Sequence, residues 1–130
     1  MALRAERDHT ARTYVSFDDN APHSRVIGYY CLSSYSVERL SIGGGYLARN
    51  APPAVPAILL GRLAVDITWQ GKGLGASLLH DAVNNAELVS RRIGSRALVV
   101  DALDEPAAAF YRRYGFHPFP SNPFKLFHRF

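Results

Sequence analysis

The sequence predicts a mixed α/β fold: a central sheet with antiparallel N-terminal strands and a β-α-β-α-β C-terminal half. Three observations predict it. Two strand-like stretches, residues 12–17 and 25–32, flank a turn cluster early in the chain. An apolar run at residues 57–66 leads through a glycine-rich turn into a long helical pattern that ends at Ile93. From there strand-like and helix-like patterns alternate to the C-terminus, as parallel crossovers require.

Taken in order, residues 1–10 are polar and charged and predict a short helix or a loose lead-in. Residues 12–17 alternate as a strand, and residues 18–23 (Asp-Asp-Asn-Ala-Pro-His) form the turn. Residues 25–32 follow with Val26, Ile27, Tyr29 and Tyr30, so the pair reads as an antiparallel hairpin with a longish loop. Residues 33–40 either continue that strand or bend away. Gly43, Gly44 and Gly45 read as linker, having no strand before them and no helix after, and Pro56 sets the approach to the central strand.

The long helix carries an apolar face at Leu79, Ala82, Val83, Ala86, Val89 and Ile93, close to i, i+3, i+4, i+7 spacing. Gly94 supplies its stop, and Arg91 and Arg92 suit the negative end of the helix dipole. Residues 96–103 predict a buried strand. Asp104-Glu105-Pro106 starts a short helix that ends at Tyr114-Gly115. A proline-punctuated turn (Pro118, Pro120, Pro123) precedes the closing strand, residues 124–130.

The totals fit one domain over residues 1–130, with 1–10 as lead-in. Apolar runs are strand-sized, so no membrane span is expected; no export leader opens the chain, and the expected location is cytoplasmic. Cys31 is alone and the five histidines are scattered, so neither a disulfide framework nor a metal site is expected. Net charge is +4, and 13 of the 15 basic residues are arginine. Arginine binds phosphate bidentately and stacks on bases, so the bias suits an RNA partner, although GC-rich coding produces it too.

The glycine turn at residues 70–75 (Gln-Gly-Lys-Gly-Leu-Gly) is the first candidate site. Amides at a glycine-rich helix start converge on an anion, and the helix dipole favours it. A P-loop is ruled out because Lys72 is followed by Gly73 rather than Ser or Thr. Gly71, Gly73 and Ala76 do fit the dinucleotide fingerprint, with Asp101 as a ribose-binding acid. Against it, four residues separate the strand from Gly71, and only 29 residues follow Asp101. Gln70, Gly73 and Gly75 also satisfy Gln-x-x-Gly-x-Gly, which resembles the coenzyme A loop of the GNAT superfamily of N-acetyltransferases.

A second stretch makes the resemblance closer. Ala107, Phe110, Tyr111, Gly115 and Phe116 fit Ala-x-x-Phe-Tyr-x-x-x-Gly-Phe. With Arg-Thr-Tyr-Val at 12–15, Gly-Tyr-Tyr at 28–30, Ser-Val-Glu-Arg at 36–39 and Leu-Gly-Arg-Leu-Ala-Val-Asp at 60–66, the chain is similar to the GNAT-type toxins of bacterial toxin–antitoxin pairs. The likeness spans residues 11–130. It implies the GNAT (acyl-CoA N-acyltransferase) fold, with two central strands splayed around a pantetheine arm. It further implies acetyl-CoA as donor, no metal, and aminoacyl-tRNA as acceptor at its α-amino group, which blocks translation. A ribbon-helix-helix antitoxin and a homodimer come with the same likeness.

Carried over by residue, Leu63, Ala64 and Val65 offer backbone groups to the pantetheine. Gln70, Gly71, Lys72, Gly73, Leu74, Gly75 and Ala76 hold the pyrophosphate, and Phe110 lines the cofactor site. Tyr111 matches the catalytic tyrosine. On the helix, Phe110 and Tyr114 share one face and read as core with Phe116, which leaves Tyr111, about 100° away, facing a cleft. Arg91, Arg92, Arg96, Arg112 and Arg113 are candidates for tRNA phosphate, with Arg112 and Arg113 beside the tyrosine. Asp66, Asp101, Glu38 and His80 are possible bases, and none is assigned. In the family a further strand and helical segment before the position of Ala11 complete one sheet edge and help wall the acceptor pocket, so the expectation is a shortened variant, or a neighbouring copy in a dimer covering the gap. The alternatives are a GNAT acting on a protein or small-molecule amine, and a truncated, inactive toxin that binds its antitoxin as a corepressor.

Overall fold

The structure, a computed structural model, describes residues 2–7, 11–18, 25–38 and 54–130. Its strands are β1 (Ala2–Arg7), β2 (Ala11–Asp18), β3 (Arg25–Glu38), β4 (Ala54–Val65), β5 (Ala97–Asp101), β6 (His117–Phe119) and β7 (Asn122–Arg129). Helix α1 (Leu74–Ile93) joins β4 to β5, and α2 (Glu105–Arg113) follows β5. These seven strands of the described residues form one sheet in the order β1-β2-β3-β4-β5-β7-β6. Every neighbouring pair is antiparallel except β4–β5, the pair bridged by α1.

Period-two alternation sorts the central strands onto two faces. Ile58 and Leu60 of β4, with Leu98 and Val100 of β5, join one core with Leu78, Leu79, Ala82 and Ala86 of α1 and Ala108 and Tyr111 of α2. Val55 and Ala57, with Ala97 and Val99, form a second buried cluster with Val37 and Phe119. The helix start and stop are set locally: Gly73 caps α1 in the left-handed region (φ 83°), and Gly94 closes it (φ 74°), its N–H bonded to Ser90 O.

Several expectations need correction. The lead-in predicted for residues 1–10 contains a strand, β1, paired with β2 from Ala2↔Phe17 to Arg7↔Arg12. An edge strand hydrogen-bonds through its backbone and tolerates the charged residues that argued against a strand. β1 thus forms the edge of the sheet beside β2. Residues 33–38 continue β3, paired with β4 through Glu38↔Ala54. β4 starts before Pro56, which lies inside it opposite Ser36. The expected proline turn holds β6, a three-residue edge strand that accommodates Pro118, and Pro123 falls near the start of β7. The turn at 19–23, the triple glycine and Pro52-Pro53 lie outside the described residues.

The helical face also fades toward its end. Val89 (39% exposed) and Ile93 (53%) are not core. The last turn of α1 stands off the sheet across a groove of about 420 Å³, lined also by Tyr14, Leu32 and Ile58.

Candidate active site

The sheet opens next to the glycine turn. β4 and β5 pair over only three positions, Ile58↔Leu98, Leu59↔Val99 and Leu60↔Val100. Beyond them β4 continues along β3 to Val65, with Leu63 opposite Tyr30 and Val65 opposite Gly28. β5 stops at Asp101. The β5-facing edge of residues 61–65 therefore has no strand partner among the described residues, and backbone polar groups there need another one. A chain of amides, as in pantetheine, pairs with such an edge the way an added strand does.

Past Val65 the backbone is tied down before it reaches the turn. Asp66 N–H donates to Ile27 O (2.7 Å), and its carboxylate caps the 3-10 turn Ile67–Trp69, accepting from Thr68 N–H (3.1 Å) and from the Thr68 hydroxyl. Arg25 Nη2 reaches both Asp66 (3.3 Å) and Thr68 Oγ1 (2.8 Å). The Thr68 hydroxyl above all, then its amide and the Arg25 charge, hold the Asp66 carboxyl below its usual range. Gln70 Nε2 donates to Val65 O (3.2 Å), closing the turn onto the end of β4.

Gly71 (φ 77°) and Gly73 (φ 83°) both take the left-handed region, which a side chain resists. The first helical hydrogen bond runs from Ser77 N–H to Gly73 O (3.1 Å). Gly73 has no side chain to cap the helix, and no acid lies in its first turn. The N–H groups of Leu74, Gly75 and Ala76 have no acceptor among the described residues, which makes this end fit for pyrophosphate. Lys72 Nζ stands 5.1 Å from the Trp69 ring centre, beside the turn. Leu74 faces inward and is buried, so only its backbone can serve a ligand.

Helix α2 closes the other side. Its cap is the one the sequence predicts, with Asp104 accepting from Ala107 N–H (2.9 Å). Phe110 and Val65 converge on Gly75: both lie 3.8 Å from the place its Cβ would take. The cofactor candidates on β4, the turn and α2 thus come together.

The two tyrosines of α2 exchange the places expected of them. Tyr111 is 7% exposed and packs in the core between Phe110 and Phe116 (ring centres 5.3 and 5.6 Å), whereas Tyr114 is 45% exposed under Arg113. Ala108 and Tyr111, three residues apart, form the buried stripe of the helix, and Tyr114 is already its C-cap. Burial pushes the Tyr111 phenol up to about 12, so it stays protonated through the neutral range.

The arginine candidates divide. Arg112 is paired with Glu105 (2.6 Å) and Arg91 with Glu87 (3.4 Å). Arg92 lines the groove at the far end of α1. That end is about 27 Å from the glycine turn, given 1.5 Å per residue, so Arg91 and Arg92 do not join the site. Arg113 has its contact with the Tyr114 ring and no ion pair among the described residues. Of the possible bases, Asp66 is held by Arg25, Asp101 is exposed opposite Lys125, and His80 shares a hydrogen bond with Asn84 (3.2 Å). The side chain of Glu38 lies outside the described residues. No metal-holding cluster occurs among the described residues.

Two polar clusters were not foreseen: Arg25–Asp66–Thr68, and Tyr30 with Asp81 and Asn85. The i, i+4 spacing of Asp81 and Asn85 was visible, but the partner on β3 is 51 residues away.

An open strand edge leading into an uncapped, glycine-started helix suits an extended chain of amides that ends in a pyrophosphate, as coenzyme A does. The chain belongs to the acetyltransferase (GNAT) domain family, whose sequence pattern matches residues 9–118. It is an acetyl-CoA-dependent N-acetyltransferase with the GNAT fold. It is 45% identical to the tRNA-acetylating toxin of Mycobacterium tuberculosis over 97% of this chain and 75% of that protein. Among solved structures, AtaT complexed with acetyl-methionyl-tRNAfMet matches with a TM-score of 0.83 at 34% identity, covering 92% of this chain and 71% of that one. A tyrosine-to-phenylalanine mutant of AtaT, bound to acetyl-CoA and the C-terminus of the antitoxin AtaR, matches with a TM-score of 0.75 at 34% identity, covering 92% and 68%.

Proposed function

We propose that this chain transfers the acetyl group of acetyl-CoA to the α-amino group of aminoacyl-tRNA, and thereby blocks translation as the toxin of a toxin–antitoxin pair. The observation that carries the proposal is the free edge of β4 at residues 61–65 running into the uncapped start of α1. The toxins named above support the choice of acceptor. The expected partners are a ribbon-helix-helix antitoxin and a second copy of the chain, and the expected place of action is the cytoplasm, as one domain.

The amine displaces the thiolate at the acetyl carbonyl: an N–C bond forms, the C–S bond breaks, and one proton passes from nitrogen to sulfur. Leu63, Ala64 and Val65 hold the pantetheine along the strand edge, and residues 70–76 hold the pyrophosphate. Tyr111 is the residue proposed to act on the sulfur. Full proton transfer from a phenol at about 12 to a thiolate at about 8.5 is uphill by on the order of 5 kcal/mol. Tyr111 therefore serves first as a hydrogen-bond donor to the departing sulfur, and the proton it passes to sulfur is replaced, through water, by the one the amine sheds, so the phenol ends as it began. An aminoacyl ester amine is weakly basic, so water suffices to accept its proton.

Incubating the protein with labelled acetyl-CoA and charged tRNA, against peptides and polyamines, tests this. Label is expected on the aminoacyl-tRNA. Label only on peptides or polyamines overturns the acceptor assignment and leaves the acetyltransferase in place.

A further inference from the structure

A polar cluster beneath the site has no part in the proposed chemistry. Tyr30 of β3 is fully buried, with its ring stacked on Tyr14 (centres 4.7 Å apart). Its hydroxyl donates to the Asp81 carboxylate and accepts from Asn85 Nδ2 (2.7 Å), which also reaches Asp81 (3.1 Å). Asp81 and Asn85 lie one turn apart on α1. The same stripe runs back to the start of the helix through Leu78 and Leu74, and both meet Gly28, two residues before Tyr30. A Cβ on Gly28 would stand 2.8 Å from Leu78 Cδ1, 3.1 Å from Ala64 O and 3.4 Å from Leu74 Cδ2. In register, Gly28 lies opposite Val65 and Tyr30 opposite Leu63, the open-edged part of β4.

Apolar contact is non-directional and leaves a helix free to shift along the surface it covers. A directed hydrogen bond does not. We infer that Gly28 and the Tyr30–Asp81–Asn85 cluster are positioning groups for the cofactor site. Gly28 sets how closely the start of α1 approaches the β3–β4 pair, and the Tyr30 hydroxyl fixes α1 along its axis. Together they hold the free amides of residues 74–76 in register with the free edge of residues 61–65. The inference rests on the proposed seating of acetyl-CoA across those two elements. A ligand that spans both is lost faster than either contact alone when their relative placement drifts. Tyr30 acts at a distance, since Asp81 is about 10 Å along the helix from Leu74.

The test uses the full chain, with acetyl-CoA as titrant, steady-state kinetics and thermal melting. Tyr30→Phe keeps the stacked ring and removes the hydroxyl. It is expected to raise the Kd and KM for acetyl-CoA on the order of tenfold, with kcat changed by less than about twofold. Asp81→Ala should do the same, and Asp81→Asn should recover most of the loss, because its amide oxygen still accepts the Tyr30 proton. Gly28→Ala gives an independent route to the same rise. The backbone amide resonances of Gly71, Gly73 and Gly75 are expected to move in Tyr30→Phe even without ligand. A lowered melting temperature with unchanged Kd and unmoved glycine resonances overturns the inference and leaves a merely structural tie. If the unaltered chain takes up no acetyl-CoA, the cofactor reading fails, and the glycine resonances still decide whether Tyr30 positions the turn. Should Tyr30→Phe fail to fold, Gly28→Ala carries the test alone.

Discussion

At the scale of single residues, Tyr111 joins two properties: it is nearly sealed from solvent and it keeps its proton. Tyr111→Phe retains the ring among Phe110 and Phe116 and removes only the hydroxyl. Its kcat is expected to fall on the order of a hundredfold, with acetyl-CoA affinity unchanged; transfer assays beside calorimetry check it. The raised phenol also has a consequence for stability. Above pH 10 the unfolded chain releases this proton while the folded chain retains it up to about 12. The folded state then binds more protons, so stability falls as pH rises, by about 1 kcal/mol per pH unit at most. Urea melts between pH 9 and 12 should show a shallower loss for Tyr111→Phe than for the unaltered chain. The aromatic motif singled out Tyr111, but angular spacing around a helix could not say which side meets the sheet. In the fold that side carries Ala108 and Tyr111, the buried residues of α2.

At the scale of elements, the turn before α1 and the cap of α2 were legible because both rest on local chemistry. Gly71 and Gly73 have open space around them, so only backbone strain opposes a side chain there. Gly73→Ala is expected to cost about 1–2 kcal/mol in urea denaturation and, if the proposed seating holds, to weaken acetyl-CoA binding, because the amides it orients are the ones proposed to hold the pyrophosphate. Asp104→Ala removes the acceptor for Ala107 N–H and should cost about 1 kcal/mol, read in the same way. The strands β1 and β6 were not legible. An edge strand is held by its neighbour's backbone, so neither the charges of residues 4–7 nor Pro118 had to fit a strand pattern. The outward turn at Val89 and Ile93 was equally hidden, since an amphipathic face records what could be buried and not how far the sheet extends beneath it.

At the scale of the whole molecule, the net charge of +4 says less than its distribution. Arg91 and Arg112 are each paired with a glutamate, whereas Arg113, in the last turn of α2, is not ion-paired among the described residues. Arg113→Ala should therefore raise the KM for aminoacyl-tRNA and lower the slope of log affinity against log salt by about one. Arg91→Ala, distant and already compensated, should leave both unchanged. Measurements at three or four salt concentrations separate the two.

Alternating and helical periodicity, the left-handed glycines and the helix cap were determined by the sequence by itself, because each depends on residues within a turn or two of one another. So was membership of the GNAT family, through two short motifs. The tertiary structure decided where β4 parts from β5, which tyrosine of α2 is enclosed, and how Tyr30 reaches Asp81. These depend on groups tens of residues apart, brought together by burial that no local pattern records.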